Sequence, residues 1–242
     1  MKTAFVSGSA KRLGKEIALR LAQKGYFVWM HYHHSHAEAE ETLQLIKQNN
    51  GDGNIISGDI SKHQDVIDMA LTVKKTSHTI DVLINNVGIY KIGNLLHYHV
   101  NDFEETIQTN LVGSYYMIDR FLPLFPLSGG SIINIGYSGV EYLTASINNT
   151  AYTISKTGLL ILTRSYAHAL GSRNIRVNMV SPGQLSNSVD LSENVKQIIP
   201  LGRFGECHDI VHTVEFLLSD NASYITGVNI DIAGGYMMRL AQ

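Results

Sequence analysis

Tyr152 and Lys156 lie four positions apart in a segment with helical spacing, which puts both side chains on one helical face. A phenol loses its proton near pH ~10, and a neighbouring ammonium stabilises the phenolate and lowers that pKa. Such a tyrosine can donate a proton to a carbonyl group that receives hydride, and can act as a base in the reverse reaction. The pair therefore suits acid–base chemistry beside a nicotinamide cofactor, although the same spacing also occurs in ordinary surface pairs.

A glycine-containing turn over residues 7–14 follows the first apolar run. Small residues there let the backbone approach a phosphate group, and the start of the following helix offers free N–H groups. Arg12 stands where a middle glycine is expected in a dinucleotide-binding turn. Lys11 and Arg12 add cationic donors, and arginine suits bidentate phosphate recognition. The sequence thus predicts a phosphate site here, with a plain βα turn as the alternative.

The residues after the second predicted strand favour NADP(H) over NAD(H). An NAD site usually has Asp or Glu at this point to hold the ribose 2′-hydroxyl group. Here the chain continues with His33, His34 and Ser35, and no carboxylate occurs before Glu38. We therefore expect Arg12, His33, His34 and Ser35 to accept a 2′-phosphate. Alternation along a strand separates neighbouring histidines, so we expect no metal site.

Short β-rich runs alternate with helical stretches along the whole chain, which predicts one α/β domain over residues 1–242. This alternation is typical of a doubly wound parallel sheet with crossover helices, here with seven strands. Ligands bind such sheets beyond the carboxyl ends of the strands. The predicted strands are Ala4–Ser7, Phe27–His31, Asn54–Ile56, Val82–Asn85, Ser131–Ile135, Arg176–Val180 and Val228–Ile232. The later predicted helices are Asp102–Leu124, Tyr152–Leu170 and Cys207–Leu218.

Composition excludes several classes of protein. The chain has 242 residues, 44 % of them apolar, which is enough for a sizeable core. A formal net charge of −2 argues against a nucleic-acid partner. No apolar run is long enough for a membrane span or a signal peptide, so we expect no membrane partner. The single cysteine, Cys207, fits a reducing, cytoplasmic location.

From the phosphate turn to the carboxyl terminus, the chain resembles the short-chain dehydrogenase/reductase family. The similar motifs occur in the family's order: the turn over residues 7–14, Asn85-Asn86-Val87-Gly88, Asn110, the Tyr152–Lys156 pair, and Ser181-Pro182-Gly183. Pro200-Leu201-Gly202-Arg203-Phe204-Gly205 and Tyr224-Ile225-Thr226-Gly227 also match. The resemblance implies a Rossmann fold and a nicotinamide-dependent oxidoreductase.

The resemblance also implies residue roles. Tyr152 and Lys156 would act in catalysis and contact the cofactor, and Asn110 would hold a water molecule that relays protons to Lys156. Asp59 would contact the adenine amine. The cofactor-binding residues implied in all are Gly8, Lys11, Arg12, Leu13, Gly14, His33, His34, Ser35, Asp59, Ile60, Asn86, Val87, Gly88, Tyr152, Lys156, Pro182, Gly183 and Leu185.

One position departs from the family pattern. The family has a serine thirteen residues before the tyrosine, or an aspartate in its pteridine reductases, and this residue polarises the substrate carbonyl. Counting back from Tyr152 gives Gly139, whereas aligning from the preceding strand gives Tyr137, with Ser138 next. The loop after Ser138 is therefore about two residues longer than usual. We predict that Ser138 takes this role, because its hydroxyl group both donates and accepts hydrogen bonds, with Tyr137 as the alternative.

The basic turn, the His-Tyr-His-x-Ser segment at the strand end and the Gly234-Gly235-Tyr236 ending resemble the pteridine reductase branch. Tyr90 matches a ring that stacks on a pterin there, although it could equally be packed in a loop. A variable substrate loop is expected over residues 184–199. Its lack of Arg or Lys before Lys196 favours a small neutral substrate. The predicted substrate residues are Tyr90, Tyr137 and Gln184.

Three functional hypotheses follow. The first is an NADPH-dependent reductase that transfers hydride to a small carbonyl or pteridine-type substrate, with Tyr152 as the proton donor. The second is a 3-oxoacyl thioester reductase of the kind that acts on acyl carrier protein substrates. The third is a catalytically impaired nucleotide-binding sensor or scaffold, which the displaced serine motivates. By analogy with the family, the partners are a small-molecule substrate and further copies of the chain, as a homotetramer or homodimer.

Overall fold

The computed structural model describes residues 1–188 and 193–236, and these residues build one sheet of seven parallel strands. The strand order is β3-β2-β1-β4-β5-β6-β7, which confirms the predicted doubly wound α/β fold. The chain crosses from β3 at one edge back to β4 beside β1, so a crevice opens beyond the carboxyl ends of β1 and β4. The strands are β1 (Thr3–Val6), β2 (Phe27–Tyr32), β3 (Asp52–Ser57), β4 (Val82–Asn85), β5 (Gly130–Ile135), β6 (Ile175–Pro182) and β7 (Asn229–Ile232).

Helices cover both faces of this sheet. Among the described residues they are α1 (Arg12–Gln23), α2 (His36–Gln48), α3 (His63–Ser77), α4 (Val100–Ile107), α5 (Gly113–Phe121), α6 (Thr150–Leu170), α7 (Glu193–Gln197) and α8 (Cys207–Leu218). Single turns of 3₁₀ helix lie at Leu95–His97, Leu122–Leu124, Val140–Tyr142, Gly171–Arg173 and Asp220–Ala222. None of these described helices is both long and apolar enough to cross a membrane.

The prediction of one continuous helix over Asp102–Leu124 is wrong. A π-helical turn at Gln108–Val112 separates α4 from α5, and a 3₁₀ turn containing Pro123 follows α5. The π turn carries the buried side chain of Asn110, whose amide group is fully bonded to the surrounding chain. Apolar spacing continues through this turn, and so the pattern alone does not reveal the break.

Strand alternation divides the core into two layers. Val6 and Ile84 point to the layer under α1 and α8, while Phe5 and Leu83 point to the layer under α3 and α5. Phe5 packs against Phe121 of α5 with ring centroids 4.5 Å apart. All five side chains are fully buried, so these layers fix where each strand ends and thereby where the residues of the crevice lie.

Candidate active site

Tight packing of the turn between β1 and α1 requires glycine at two positions. Gly8 has a φ of +62°, and a Cβ atom added to Gly14 would lie 2.2 Å from the carbonyl oxygen of Gly8. Asn86, directly after β4, donates through Nδ2 to the carbonyl oxygens of Ser7 and Gly8, at 3.0 and 3.1 Å. The turn is therefore held against the end of the fourth strand.

Cationic groups stand at the open side of this turn. Arg12 is exposed at the first position of α1, with a φ of +50°, while Leu13 is buried beneath it. Lys11 forms an ion pair with Glu38 of α2, and this contact lowers the pKa of the Glu38 carboxyl group. Because Glu38 engages Lys11, Arg12 is the better placed of the two cations for a phosphate group.

The residues after β2 lie beside the turn. His33 and His34 stack with ring centroids 3.5 Å apart, and Ser35 immediately precedes α2. His33 Nε2 lies 4.0 Å from a carboxylate oxygen of Asp59. Within residues 1–188 and 193–236, no three His, Cys, Asp or Glu side chains are arranged to hold a metal ion.

Asp59 and Ile60 follow β3 and have different surroundings. The other carboxylate oxygen of Asp59 accepts bonds from the backbone N–H and the hydroxyl group of Ser61, at 3.0 and 2.7 Å. Burial raises the pKa of Asp59, but these bonds outweigh burial and the net pKa is lowered. The side chain of Ile60 is buried in the core, where it packs beneath Gly113. Only the backbone of Ile60 is therefore suited to contact a ligand.

Asn110 holds the segment after β4 in place. Its Oδ1 accepts from the N–H of Ile89 at 2.8 Å, and its Nδ2 donates to the carbonyl oxygen of Ile89 at 2.9 Å. Nδ2 also donates to Ser155 Oγ on α6 at 3.1 Å. Asn110 thus joins the π turn, the loop that leads to Tyr90, and the helix that carries the predicted catalytic pair.

Lys156 is buried, with 3 % of the residue exposed. Its Nζ donates to the carbonyl oxygen of Ile135, at the end of β5, over 2.7 Å. A Cβ atom added to Gly88 would lie 3.2 Å from Nζ, so a side chain at this position would crowd the ammonium group. Burial lowers the pKa of Lys156 to about 8. Below that pH, the interior beyond β4 and β5 contains a positive charge.

Tyr152 lines a pocket of about 420 Å³ that reaches from the phosphate turn to the predicted substrate loop; its lining includes Arg12, Tyr90, Tyr137, Ser138, Pro182 and Gln184. The Tyr90 ring meets the Tyr152 ring edge-on at 4.8 Å, and the Tyr137 ring lies 5.6 Å away. The pocket therefore brings together all three predicted substrate residues, Tyr90, Tyr137 and Gln184, around the predicted proton donor.

The electrostatics of Tyr152 differ from the sequence-based expectation. Desolvation, followed by the influence of Tyr90 and Tyr137, raises the pKa of the phenol instead of lowering it. Lys156 Nζ lies 5.9 Å from the centre of the Tyr152 ring, and its short bond is made to Ile135. The phenol is consequently protonated at neutral pH, which is the form needed to donate a proton.

Ser138 is buried at the end of β5 and lines the same pocket. Its N–H donates to the carbonyl oxygen of Pro182 at 2.9 Å, and the N–H of Gly139 donates to Asp231 Oδ2 at 2.9 Å. Among the described residues, its hydroxyl group has no hydrogen-bond partner. By contrast, the phenol of Tyr137 lies near Thr153 and Thr144, whose side chains oppose the rise in its pKa that burial causes. Ser138 therefore has the freer hydroxyl group of the two candidates.

The segment after β6 closes the pocket. Gly183 N–H donates to the carbonyl oxygen of Ile232 at 2.9 Å, so Pro182 and Gly183 are fixed to β7. Leu185 N–H donates to Ser188 Oγ at 3.1 Å, and its side chain is buried. Its carbonyl oxygen accepts from the N–H of Ser188 at 2.9 Å, so both backbone groups of Leu185 are engaged within the loop. Part of the predicted substrate loop, residues 189–192, lies outside the described residues.

Sequence reasoning missed two residues that shape this site. Asp231 on β7 fixes the backbone directly after Ser138. His31 on β2 bonds to both Gly8 and Gly58. The sequence offered a signal for His31, since it begins the histidine-rich segment, but alternation alone did not tell which backbone groups it meets.

The crevice as a whole fits a dinucleotide. The close-packed turn at Gly8 and Gly14 lies at its first end, with Arg12 exposed beside it. The pocket then runs from Arg12 to Tyr152, and Gly88 with Lys156 lies between β4 and α6. A phosphate and a ribose require hydrogen-bond donors that they can approach closely. The backbone of the small residues in the turn, the exposed cation of Arg12 and the buried ammonium group of Lys156 meet this requirement.

A family model described as enoyl-(acyl carrier protein) reductase matches residues 8–237. The chain is 35 % identical to the 3-oxoacyl-acyl-carrier-protein reductase FabG of Staphylococcus epidermidis, over 98 % of this chain and 99 % of that protein. Its fold is similar to that of a blue fluorescent protein from a metagenomic library in complex with NADPH, with a TM-score of 0.92, 29 % identity, and 98 % of each chain covered.

A second solved structure has the same fold. It is the landomycin C-6 ketoreductase LanV with bound NADP and rabelomycin, with a TM-score of 0.87, 28 % identity, and 96 % of this chain and 95 % of that chain covered. These likenesses span nearly the whole chain and therefore include the turn, the strand ends and the Tyr152–Lys156 helix. The protein belongs to the short-chain dehydrogenase/reductase family and is an oxidoreductase.

Proposed function

We propose that this protein reduces the carbonyl group of a small substrate with NADPH, with Tyr152 as the proton donor. The observation that carries the proposal is the pocket in which a protonated Tyr152 and the free hydroxyl group of Ser138 both line the carboxyl end of the sheet. NADP(H) is supported by Arg12 at the turn and by the NADPH and NADP bound in the two similar structures.

The bound cofactor would supply the hydride. In the proposed reaction, Ser138 donates a hydrogen bond to the substrate oxygen, and Tyr152 transfers its phenolic proton to that oxygen as negative charge develops. Lys156 places an ammonium group behind Tyr152, which favours the phenolate that remains. Asn110 is proposed to keep the loop before Tyr90 and the start of α6 in register during the transfer.

Two substrate classes are supported by different observations. A pterin-like heterocycle is favoured by Tyr90, which is 46 % exposed and whose ring meets that of Tyr152 in the pocket. A 3-oxoacyl thioester is favoured by the 35 % identity to FabG across nearly the full length of both chains. Both substrates take one hydride on carbon and one proton, which goes to the ketone oxygen of a 3-oxoacyl thioester or to the nitrogen of a C=N bond in a pteridine. Because Tyr152 could supply the proton in either case, we expect the walls of the pocket to decide between them.

The test is NADPH oxidation by the purified protein with a dihydropteridine and, separately, with a short 3-oxoacyl thioester. We expect turnover of one of the two, and the preferred substrate identifies the class. Turnover of neither, with NADPH still bound, would contradict both substrate proposals. If a wider panel of ketones also gave no oxidation, the remaining hypothesis of a nucleotide-binding sensor or scaffold would be favoured.

Replacement of Arg12 by alanine is expected to weaken NADPH binding about tenfold to a hundredfold, because a charge-assisted bond to a phosphate contributes about 1.5–3 kcal/mol. NADH binding should change little, since NADH lacks the 2′-phosphate. Titration of both cofactors into the Arg12→Ala variant measures this difference. Lys11→Ala is the matched control, because Glu38 already engages Lys11. Equal losses for NADH and NADPH would show that Arg12 does not hold the 2′-phosphate.

A further inference from the structure

His31 is a buried imidazole between two loops of the proposed cofactor site. It lies on β2, and only 2 % of the residue is exposed. Its Nδ1 accepts a hydrogen bond from the N–H of Gly8 at 3.0 Å, and its Nε2 lies 2.9 Å from the carbonyl oxygen of Gly58. Gly8 belongs to the phosphate turn, and Gly58 immediately precedes Asp59. The His31 side chain therefore connects the phosphate turn with the Gly58–Asp59 segment.

These two partners fix the tautomer of the ring. A backbone N–H can only donate, so Nδ1 must carry a lone pair towards Gly8. A carbonyl oxygen can only accept, so Nε2 must carry the proton towards Gly58. The imidazolium form would have no acceptor to offer to Gly8. Desolvation lowers the pKa of His31 to about 4 in spite of the Gly58 carbonyl, with further influence from His33 and Asp59, so the ring is neutral at physiological pH.

The bond to Gly8 lies in a closely packed part of the turn. Gly8 has a φ of +62°, and the carbonyl oxygen of Gly8 is already held by Asn86. The backbone of His31 contributes as well, because its carbonyl oxygen accepts from the N–H of Ser9 at 2.9 Å. With its amide bonded to His31, Gly8 has both backbone groups engaged, and the direction of the following amides is set before any phosphate arrives.

We propose that His31 is a positioning residue for NADP(H), which fixes the phosphate turn through Gly8 and couples it to the Gly58–Asp59 segment at the adenine end. This inference rests on the proposed cofactor site. It predicts that His31 affects cofactor affinity and leaves the chemical step at Tyr152 unchanged, because His31 touches neither Tyr152 nor Ser138.

Three substitutions separate the two bonds of His31. In His31→Asn, the amide oxygen can take the place of Nδ1 and keep the bond from Gly8 while losing Gly58. In His31→Gln, the amide nitrogen can take the place of Nε2 and keep Gly58 while losing Gly8. His31→Phe retains a flat ring of similar size and removes both bonds. Thermal unfolding of each apoprotein controls for a general loss of structure.

We expect His31→Phe to raise the Kd for NADPH about tenfold or more, since a buried backbone donor and acceptor lose their partner. His31→Asn should recover most of this affinity and His31→Gln little of it, because the bond to Gly8 shapes the turn. The kcat at saturating NADPH should stay within about twofold of wild type. In a ¹⁵N NMR spectrum of the apoprotein, His31 should carry its proton on Nε2 alone.

Several results would overturn the proposal. They are an unchanged Kd in His31→Phe, equal Kd values in His31→Asn and His31→Gln, or a proton on Nδ1. If His31→Phe does not fold, the comparison of the Asn and Gln variants decides. A wild-type protein that binds no NADPH would refute the cofactor site itself. A wild-type protein that binds NADPH, with variants that bind it equally well, would refute the role of His31 alone.

Discussion

The Tyr152→Phe variant is expected to lose about 10²- to 10⁴-fold in turnover, the range that a positioned general acid contributes. The change removes one oxygen atom and keeps the ring that packs against Tyr90 and Tyr137. Desolvation raises the pKa of Tyr152, so its phenol holds the proton at neutral pH, and we expect the transfer to follow the negative charge that develops on the substrate oxygen. Steady-state NADPH oxidation with the preferred substrate measures the loss.

Cofactor binding distinguishes this effect from a collapse of the pocket. NADPH should bind Tyr152→Phe with nearly the wild-type Kd, because the turn at Gly8 and the cation of Arg12 are unaltered. Tyr90→Phe is the matched control: it removes a hydroxyl group from the neighbouring ring, and we expect a far smaller loss of turnover. Wild-type turnover in Tyr152→Phe would refute Tyr152 as the proton donor.

The parallel sheet could be predicted because its determinants are local. The continuous apolar run of β4 and the glycine-containing turn after β1 are both legible in the sequence, and the structure confirms the fold that they indicate. The break between α4 and α5 could not be predicted. It depends on Asn110 meeting Ile89 and Ser155, which are distant in the chain. The residues next to Asn110 in the sequence give no sign of these distant partners.

The candidate site, like the fold, could be predicted only in part. Spacing alone brought Tyr152 and Lys156 to one helical face, and the structure places them there on α6. Spacing could not predict the pKa values of the two side chains. Lys156 Nζ is bonded to the carbonyl oxygen of Ile135, and desolvation beside Tyr90 and Tyr137 raises the pKa of Tyr152. The expectation of a lowered phenol pKa considered the helix only, whereas the loops and strand ends around it determine the result.

Ser138→Ala is expected to lower turnover by about 10²- to 10³-fold, as the loss of one hydrogen-bond donor to a developing oxyanion does elsewhere. Tyr137→Phe should cost much less, because the phenol of Tyr137 already has contacts with Thr153 and Thr144. Both variants keep the backbone bond from Ser138 to Pro182. Measurement of kcat and of KM for each variant, with NADPH saturating, compares the two hydroxyl groups directly.

The physical reason for this ranking is the fixed position of Ser138. Its backbone is bonded to Pro182, and Asp231 holds the next N–H, so Ser138 is fixed at the end of β5. The following loop is held separately, further along the chain, where the N–H groups of Gly93 and Leu95 donate to the carbonyl oxygens of Asn148 and Ile147, at 2.9 and 2.7 Å. A larger loss in Tyr137→Phe than in Ser138→Ala would reverse the assignment, and the group that polarises the substrate carbonyl would then be the phenol of Tyr137.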